Sequence, residues 1–307
     1  MYELAIVGGG PAGGTAAVYA ARKKLKTVFL TKNFGGQSVV AHDIQNWLGV
    51  TSMPGREFGK MIQEHVRSYE GDFLEIKDGE TVKSIEKNED GSFLIKTLKE
   101  DYEALTLLVC SGGQRRKLSV KGADRFENKG ITYCATCDAP MFSGQDVAVI
   151  GGGNAGFGTA SQLVSYAKTV TVIDSHHQFA ADPVRIEEVT ENPKVKTVKN
   201  AKIEEIKGDK MVSGLVYKDK ETGENNELNV TGVFVEIGMI PSTDFVKNLV
   251  ELNQRGYIKV DHKNQRTSTE GVWAAGDCTD SFYKQNLIAA GAGATALEDI
   301  YCKLKLS

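Results

Sequence analysis

The sequence predicts an α/β fold of two Rossmann-like, three-layer domains, the second inserted into the first. Three observations predict it. An apolar run feeds a G-x-G-x-x-G turn twice, at Gly8-Gly9-Gly10-Pro11-Ala12-Gly13 and at Gly151-Gly152-Gly153-Asn154-Ala155-Gly156. Each turn lies between a strand pattern and a helix pattern, as a βαβ unit requires. The chain has 307 residues, too many for one average domain and enough for two. A lone G-x-G-x-x-G is a weak signal, but two copies in this context read as two dinucleotide sites and hence two nucleotide-binding domains.

In the first unit, residues 4–7 form the strand, Ala16, Ala17, Ala20 and Ala21 mark the helix, and 27–30 form the next strand. Short strands are expected at 73–76, 81–85 and 92–95, with Glu89-Asp90-Gly91 as a turn. The second unit repeats the order, with strands at 147–150 and 170–173 around a helix at 154–166. Strands at 202–206 and 211–217 then flank a turn at Gly208-Asp209-Lys210. The two halves read as duplicated architectures. The last segment departs from the repeat: 271–277 is a strand ending in Gly276-Asp277, and a helix pattern over 286–304 follows. That Asp-bearing turn is expected to return to the first site. The division is then 1–112 with 245–307 as a discontinuous first domain, and 113–244 as the insertion.

Composition sets bounds. The chain is 41% hydrophobic and 25% charged, ordinary for a soluble globular protein. A net charge of −3 gives no electrostatic footprint for nucleic acid or an anionic membrane. No apolar run approaches a membrane span, and Met1-Tyr2-Glu3 enters a strand without a basic leader, so a cytoplasmic protein is expected. Five cysteines, Cys110, Cys134, Cys137, Cys278 and Cys302, are too few and too scattered for a disulfide scaffold. Zinc at Cys134-x-x-Cys137 would need a second ligand pair; His176-His177 are adjacent and the other cysteines are dispersed, so no metal site is expected. A redox dithiol remains. Beside two dinucleotide turns, it suggests electrons passing between a flavin and a thiol pair.

The strings 8–13, Gly35-Gly36-Gln37, Asn46-Trp47, Cys134-Ala135-Thr136-Cys137-Asp138, 151–154, 232–238 and Ala274-Ala275-Gly276-Asp277 carry a family resemblance. The chain resembles the low-molecular-weight thioredoxin reductases over its whole length. It resembles nearly as well the C-terminal flavoprotein part of the flavin-type peroxiredoxin (alkyl hydroperoxide) reductases. The resemblance implies a homodimeric FAD enzyme of thioredoxin-disulfide reductase type. Its two domains would rotate against each other, hinged near Gly112-Gly113 and Pro241-Ser242. The chain shows no thioredoxin-like N-terminal domains of the peroxiredoxin reductases, so a separate thioredoxin-like partner is expected to receive the electrons.

At the first turn, Gly8 makes the tight bend, Gly10 lets a pyrophosphate approach and Gly13 lets helix and strand pack closely, with Pro11 and Ala12 opening the helix. Asp277, after Gly276, can accept hydrogen bonds from the ribityl hydroxyls of FAD. The resemblance adds Gly36, Gln37, Asn46, Lys284 and Gln285 to the FAD set. The strand end Thr31-Lys32-Asn33 carries no acid for the adenosine ribose, a lack the related reductases commonly share. The resemblance also implies that Cys137 meets the flavin and Cys134 attacks the partner's disulfide. Asp138 is placed to move a proton to the leaving thiolate, or to cap a following turn.

The second fingerprint, Gly151, Gly153 and Gly156, is intact, and Asp174 ends the following strand, where an acid binds the 2′-hydroxyl of NADH and repels a 2′-phosphate. NADPH-using relatives carry His-Arg-Arg next, whereas this chain has Ser175-His176-His177-Gln178-Phe179, and neutral imidazole is a poor substitute for guanidinium. NADH is therefore preferred and NADPH disfavoured. Phe157 is expected at the helix N-terminus, where its ring would obstruct a dinucleotide. On that ground a ferredoxin donor, as some relatives use, is the alternative. An NADH:peroxiredoxin reductase or oxidase, and a redox-sensing flavoprotein without turnover, are the other readings.

Overall fold

The computed structural model describes residues 1–41 and 44–306, apart from the side chain of Thr136. The chain divides into two compact units: Met1–Gln114 with Ile240–Ser307, and Arg115–Met239.

The first unit begins with β1 (Tyr2–Gly9), α1 (Pro11–Arg22) and β2 (Thr27–Phe34). Then come α2 (Gly55–Arg67), β3 (Leu74–Asp78), β4 (Val82–Lys87), β5 (Phe93–Thr97) and β6 (Asp101–Val109). The chain next runs through β7 (Gly113–Arg115), α3 (Ala123–Phe126), β8 (Ile131–Thr132), α4 (Ala135–Asp138), β9 (Asp146–Ile150) and α5 (Asn154–Leu163). The second unit continues with β10 (Thr169–Ile173), α6 (Pro183–Thr190), β11 (Val195–Val198), β12 (Ala201–Gly208), β13 (Val212–Asp219), β14 (Asn225–Leu228) and β15 (Gly232–Val235). After β16 (Met239–Pro241), β17 (Val272–Ala274) and α7 (Asn286–Lys305) complete the first unit.

The first unit is built on a seven-stranded sheet, ordered β3-β2-β1-β6-β5-β4, with β17 also on β6. Its core strands are parallel, and the β4–β5 hairpin is joined to them by antiparallel pairing of β5 with β6. β5 pairs with the first half of β6 and β17 with the second, so β6 holds the sheet together. Side chains alternate between two cores. Leu4 and Ile6 of β1 face α1 and α7, with Ala16, Ala17, Leu297 and Ile300. Ala5 and Val7 face the opposite layer, with Phe93, Ile95, Val246 and Ile258. Ala12, Ala16 and Ala20 make α1 narrow, and Gly293 of α7 comes so near that a Cβ there would lie 2.2 Å from the Ala12 carbonyl oxygen.

The second unit has an all-parallel five-stranded sheet, ordered β11-β10-β9-β15-β8. One face packs α5 through Val147, Val149, Phe157, Leu163, Val172 and Phe234. The other packs the antiparallel sheet β12-β13-β14 through Ala148, Ile150, Ile203, Ile206 and Leu215. Both units are thus three-layered α/β structures, as the sequence predicts. Among particulars, α5 stops at Leu163 rather than 166, because its last turn tightens to three-residue hydrogen bonds, Ser165 N–H to Gln162 and Tyr166 N–H to Leu163. β6 and the amphipathic α2 are elements that the sequence pattern does not identify.

Candidate active site

In the first unit, β1 runs into Gly8, whose φ of 118° suits glycine and whose Cβ would lie 2.2 Å from the Cys110 carbonyl oxygen. A Cβ on Gly13 would lie 1.8 Å from the Gly8 oxygen, whereas nothing stands within 4 Å of one on Gly10. The turn is therefore closed underneath and open in front of the α1 N-terminus. That open cradle, lined by backbone N–H groups at the positive end of a 12-residue helix, fits a pyrophosphate.

Other elements converge on the same place. Gly36 lies against the Gly10 Cα, 3.4 Å from its would-be Cβ, and Gly276 lies against the Ala12 Cβ at 3.1 Å. Asn46 Nδ2 donates to Gln285 Oε1 at 3.0 Å, and Ser38 Oγ donates to Asn286 Oδ1 at 2.8 Å, tying the segment after β2 to the start of α7. Gln37 is exposed beside them. Lys284 turns inward: its Nζ donates to the Thr279 oxygen at 2.6 Å and the Asp277 oxygen at 3.3 Å, and rests 4.5 Å over the Tyr257 ring. Burial pushes its ammonium down, and the Asp277 carboxylate opposes that shift. Lys284 thus braces the Asp277 turn through its backbone. Cys110 and Cys278 are buried, and burial raises both thiols, which keeps them from acting as thiolates.

The second turn repeats this geometry. Gly151 has a φ of 119°, a Cβ on Gly156 would lie 1.8 Å from the Gly151 oxygen, and nothing stands within 4 Å of one on Gly153. Asp174 ends β10. Its Oδ2 accepts from the Gly152 N–H, and its Oδ1 accepts from the His176 N–H at 2.8 Å and lies 2.7 Å from His176 Nδ1. Phe157 departs from expectation. It is fully buried, packed edge-on against Phe179 with ring centroids 5.0 Å apart, and belongs to the core under α5. One residue past Gly156, the helix has already turned this position toward the sheet, so the ring does not stand over the nucleotide turn.

Glu236, directly after β15, carries a carboxylate with a side chain only 10% exposed. Its Oε1 accepts from Thr159 Oγ1 at 2.9 Å and its Oε2 pairs with Arg115 Nη1 at 3.2 Å. Burial raises the carboxyl above its usual value of 4.5, in spite of Arg115 and the Thr159 hydrogen bond.

The dithiol lies just after β8. Cys134 and Cys137 form a disulfide with Cα atoms 5.4 Å apart, both half-buried. The Asp138 N–H donates to the Cys134 oxygen at 3.0 Å, closing the turn between them. Thr132, buried at the end of β8, donates its hydroxyl to Asp138 Oδ2 and accepts from the Cys134 N–H at 3.3 Å. One threonine therefore fixes both a half-cystine and the neighbouring carboxylate. Asp138 makes no side-chain cap to the turn that follows. Thr132, Glu236, Thr159 and Arg115 are site residues that sequence reasoning misses. Thr132 alone offered a local signal, its spacing from Cys134 and Asp138.

A family described as pyridine nucleotide-disulphide oxidoreductase matches residues 2–296. Among curated relatives, the chain is 40% identical over 298 residues to an NADH dehydrogenase of Bacillus subtilis, covering 96% of this chain and 57% of that one. It is 40% identical over 297 residues to an alkyl hydroperoxide reductase component of Staphylococcus epidermidis, again covering 96% and 57%. The chain thus spans 57% of the length of these curated relatives. Among solved structures, thioredoxin reductase of Streptococcus pyogenes superimposes with a TM-score of 0.88 at 33% identity, covering 100% of this chain and 99% of that one. Matches of that extent place the chain in the pyridine nucleotide-disulphide oxidoreductase family, among flavoproteins of thioredoxin reductase type.

Proposed function

We propose that the chain is an FAD-dependent disulfide reductase that takes an electron pair from NADH and delivers it, through Cys134 and Cys137, to a thioredoxin-like protein. The observation that carries this is the Cys134–Cys137 disulfide with its Thr132–Asp138 support, in a chain that also has two open Gly-rich turns. The residues at the first turn fit FAD: Gly8, Gly10, Pro11, Ala12 and Gly13 at the pyrophosphate, with Gly36, Gln37, Asn46, Gly276, Asp277, Lys284 and Gln285 around them. Bound FAD would supply two-electron chemistry between a hydride donor and a disulfide.

The chain's own residues do the rest. On reduction the Cys134–Cys137 bond breaks, and the electron pair with two protons yields two thiols. Asp138 is placed to hold or release one of those protons, and the Thr132 hydroxyl keeps its carboxylate oriented. The Cys134 thiolate then attacks the partner's disulfide and forms a mixed disulfide. Cys137 attacks Cys134, re-forming the bond and releasing the partner as a dithiol. Since one sulfur must serve the flavin and the other a protein, the proposal includes rotation of the units about Gly112-Gly113 and Pro241-Ser242. A cytoplasmic homodimer completes it. No helix among the described residues is long and apolar enough to cross a membrane.

For the donor, Asp174 at the end of β10 favours NADH over NADPH, and the Bacillus subtilis relative is named for NADH. The ground for a ferredoxin donor, a Phe157 ring over the second turn, is absent. A second acceptor reading, a peroxiredoxin, is favoured by the 40% identity to the staphylococcal alkyl hydroperoxide reductase component. The test is Cys134→Ser. The variant should keep bound, NADH-reducible flavin yet lose turnover with thioredoxin and with peroxiredoxin. Normal turnover by that variant would remove the assigned role, and the acceptor that wild-type protein reduces decides between the partners.

A further inference from the structure

The all-parallel sheet of the second unit reverses its strand order at β9, with β10 on one side and β15 on the other. In a doubly wound sheet a dinucleotide lies across this switch point, one half over each flanking strand. A carboxylate stands at the carboxyl end of both strands. Asp174 follows β10 and is bonded to the Gly152 N–H. Glu236 follows β15, and its carbonyl oxygen packs 2.4 Å from a Cβ placed on Gly151. The two acids therefore bracket the same Gly-rich turn.

α5 carries no acidic residue in its first turn, and Glu236 reaches that helix from the β15 side through Thr159. Its side chain is held in place before any ligand arrives, by Thr159 of α5 at 2.9 Å and Arg115 at 3.2 Å. Each oxygen keeps a further lone pair for a donor. Burying a carboxylate with one ion-pair partner at the carboxyl end of a switch-point strand is costly for stability, which marks the position as a candidate for binding.

We propose that Glu236 binds the nicotinamide–ribose half of the dinucleotide, accepting hydrogen bonds from its hydroxyl or carboxamide donors, while Asp174 binds the adenosine half. This rests on the NADH reading above. Arg115 and Thr159 act as positioning residues that aim the carboxylate.

The test is equilibrium binding of two probes, NAD+ and ADP, by calorimetry on the purified holoprotein, with no turnover involved. Glu236→Ala should weaken NAD+ about tenfold, the effect of losing a hydrogen bond to a charged group, and leave ADP unchanged. Asp174→Ala should weaken both. Glu236→Gln, which fits the same space, guards against misfolding and should weaken NAD+ by a smaller factor, about threefold, again sparing ADP. NAD+ affinity unchanged in both Glu236 variants overturns the inference alone. Equal losses for NAD+ and ADP also overturn it, by showing a merely structural role. Wild-type protein that binds ADP but not NAD+, or neither, overturns the donor assignment and the inference together.

Discussion

Gly10 and Gly13 lie three residues apart and face opposite constraints. A Cβ at Gly13 meets a backbone oxygen at 1.8 Å, and one at Gly10 meets nothing within 4 Å. Gly13→Ala should cost about 3 kcal/mol or more, because neither backbone can yield cheaply. Gly10→Ala, at a φ of −77° that any residue adopts, should melt within about 0.5 kcal/mol of wild type yet retain less flavin. Thermal melts and flavin absorbance separate the two; a Gly10→Ala protein with full flavin content would show that the cradle is not where the pyrophosphate lies. These roles are legible in the sequence because the spacing of the glycines encodes one local turn. Glu236 is not legible, because its partners Thr159 and Arg115 lie 77 and 121 residues away and only the sheet brings them together.

At the scale of elements, α5 shows where a linear pattern misleads. Phe157 follows the fingerprint directly, and in sequence it stands beside the proposed dinucleotide site. The helical rotation carries it into the core with Leu163, Val172 and Phe234. Phe157→Ala should therefore destabilise the second unit by about 3–5 kcal/mol. It should not tighten NAD+ binding at a temperature where the protein stays folded. A manyfold gain in affinity would instead mean that the ring obstructs the site. β6 escapes sequence reading for a related reason. Tyr102, Ala104 and Thr106 alternate with exposed residues, but 107–109 are buried on both faces between β1 and β17, which erases the period of two. The turn around Cys134 lies between these extremes. The Cys-x-x-Cys spacing announces the disulfide, while Thr132, which braces it, is marked only by its spacing from Cys134 and Asp138.

For the whole molecule, the repeated strand–turn–helix units made the three-layered α/β class legible, since each repeat is local and strongly patterned. The layers opposite the helices differ between the units, a hairpin with the 244–260 segment in one and the antiparallel β12-β13-β14 sheet in the other. Those contacts join distant stretches and leave no periodic trace. At this scale the proposed function is an electron relay, and counting electrons tests it most directly. Anaerobic titration of the purified flavoprotein with dithionite should consume two electron pairs per chain, one for the flavin and one for the disulfide, and liberate two titratable thiols. The Cys134→Ser, Cys137→Ser double variant should consume one pair and liberate none. Wild-type protein that takes up a single pair while Cys134 and Cys137 stay joined would contradict the relay.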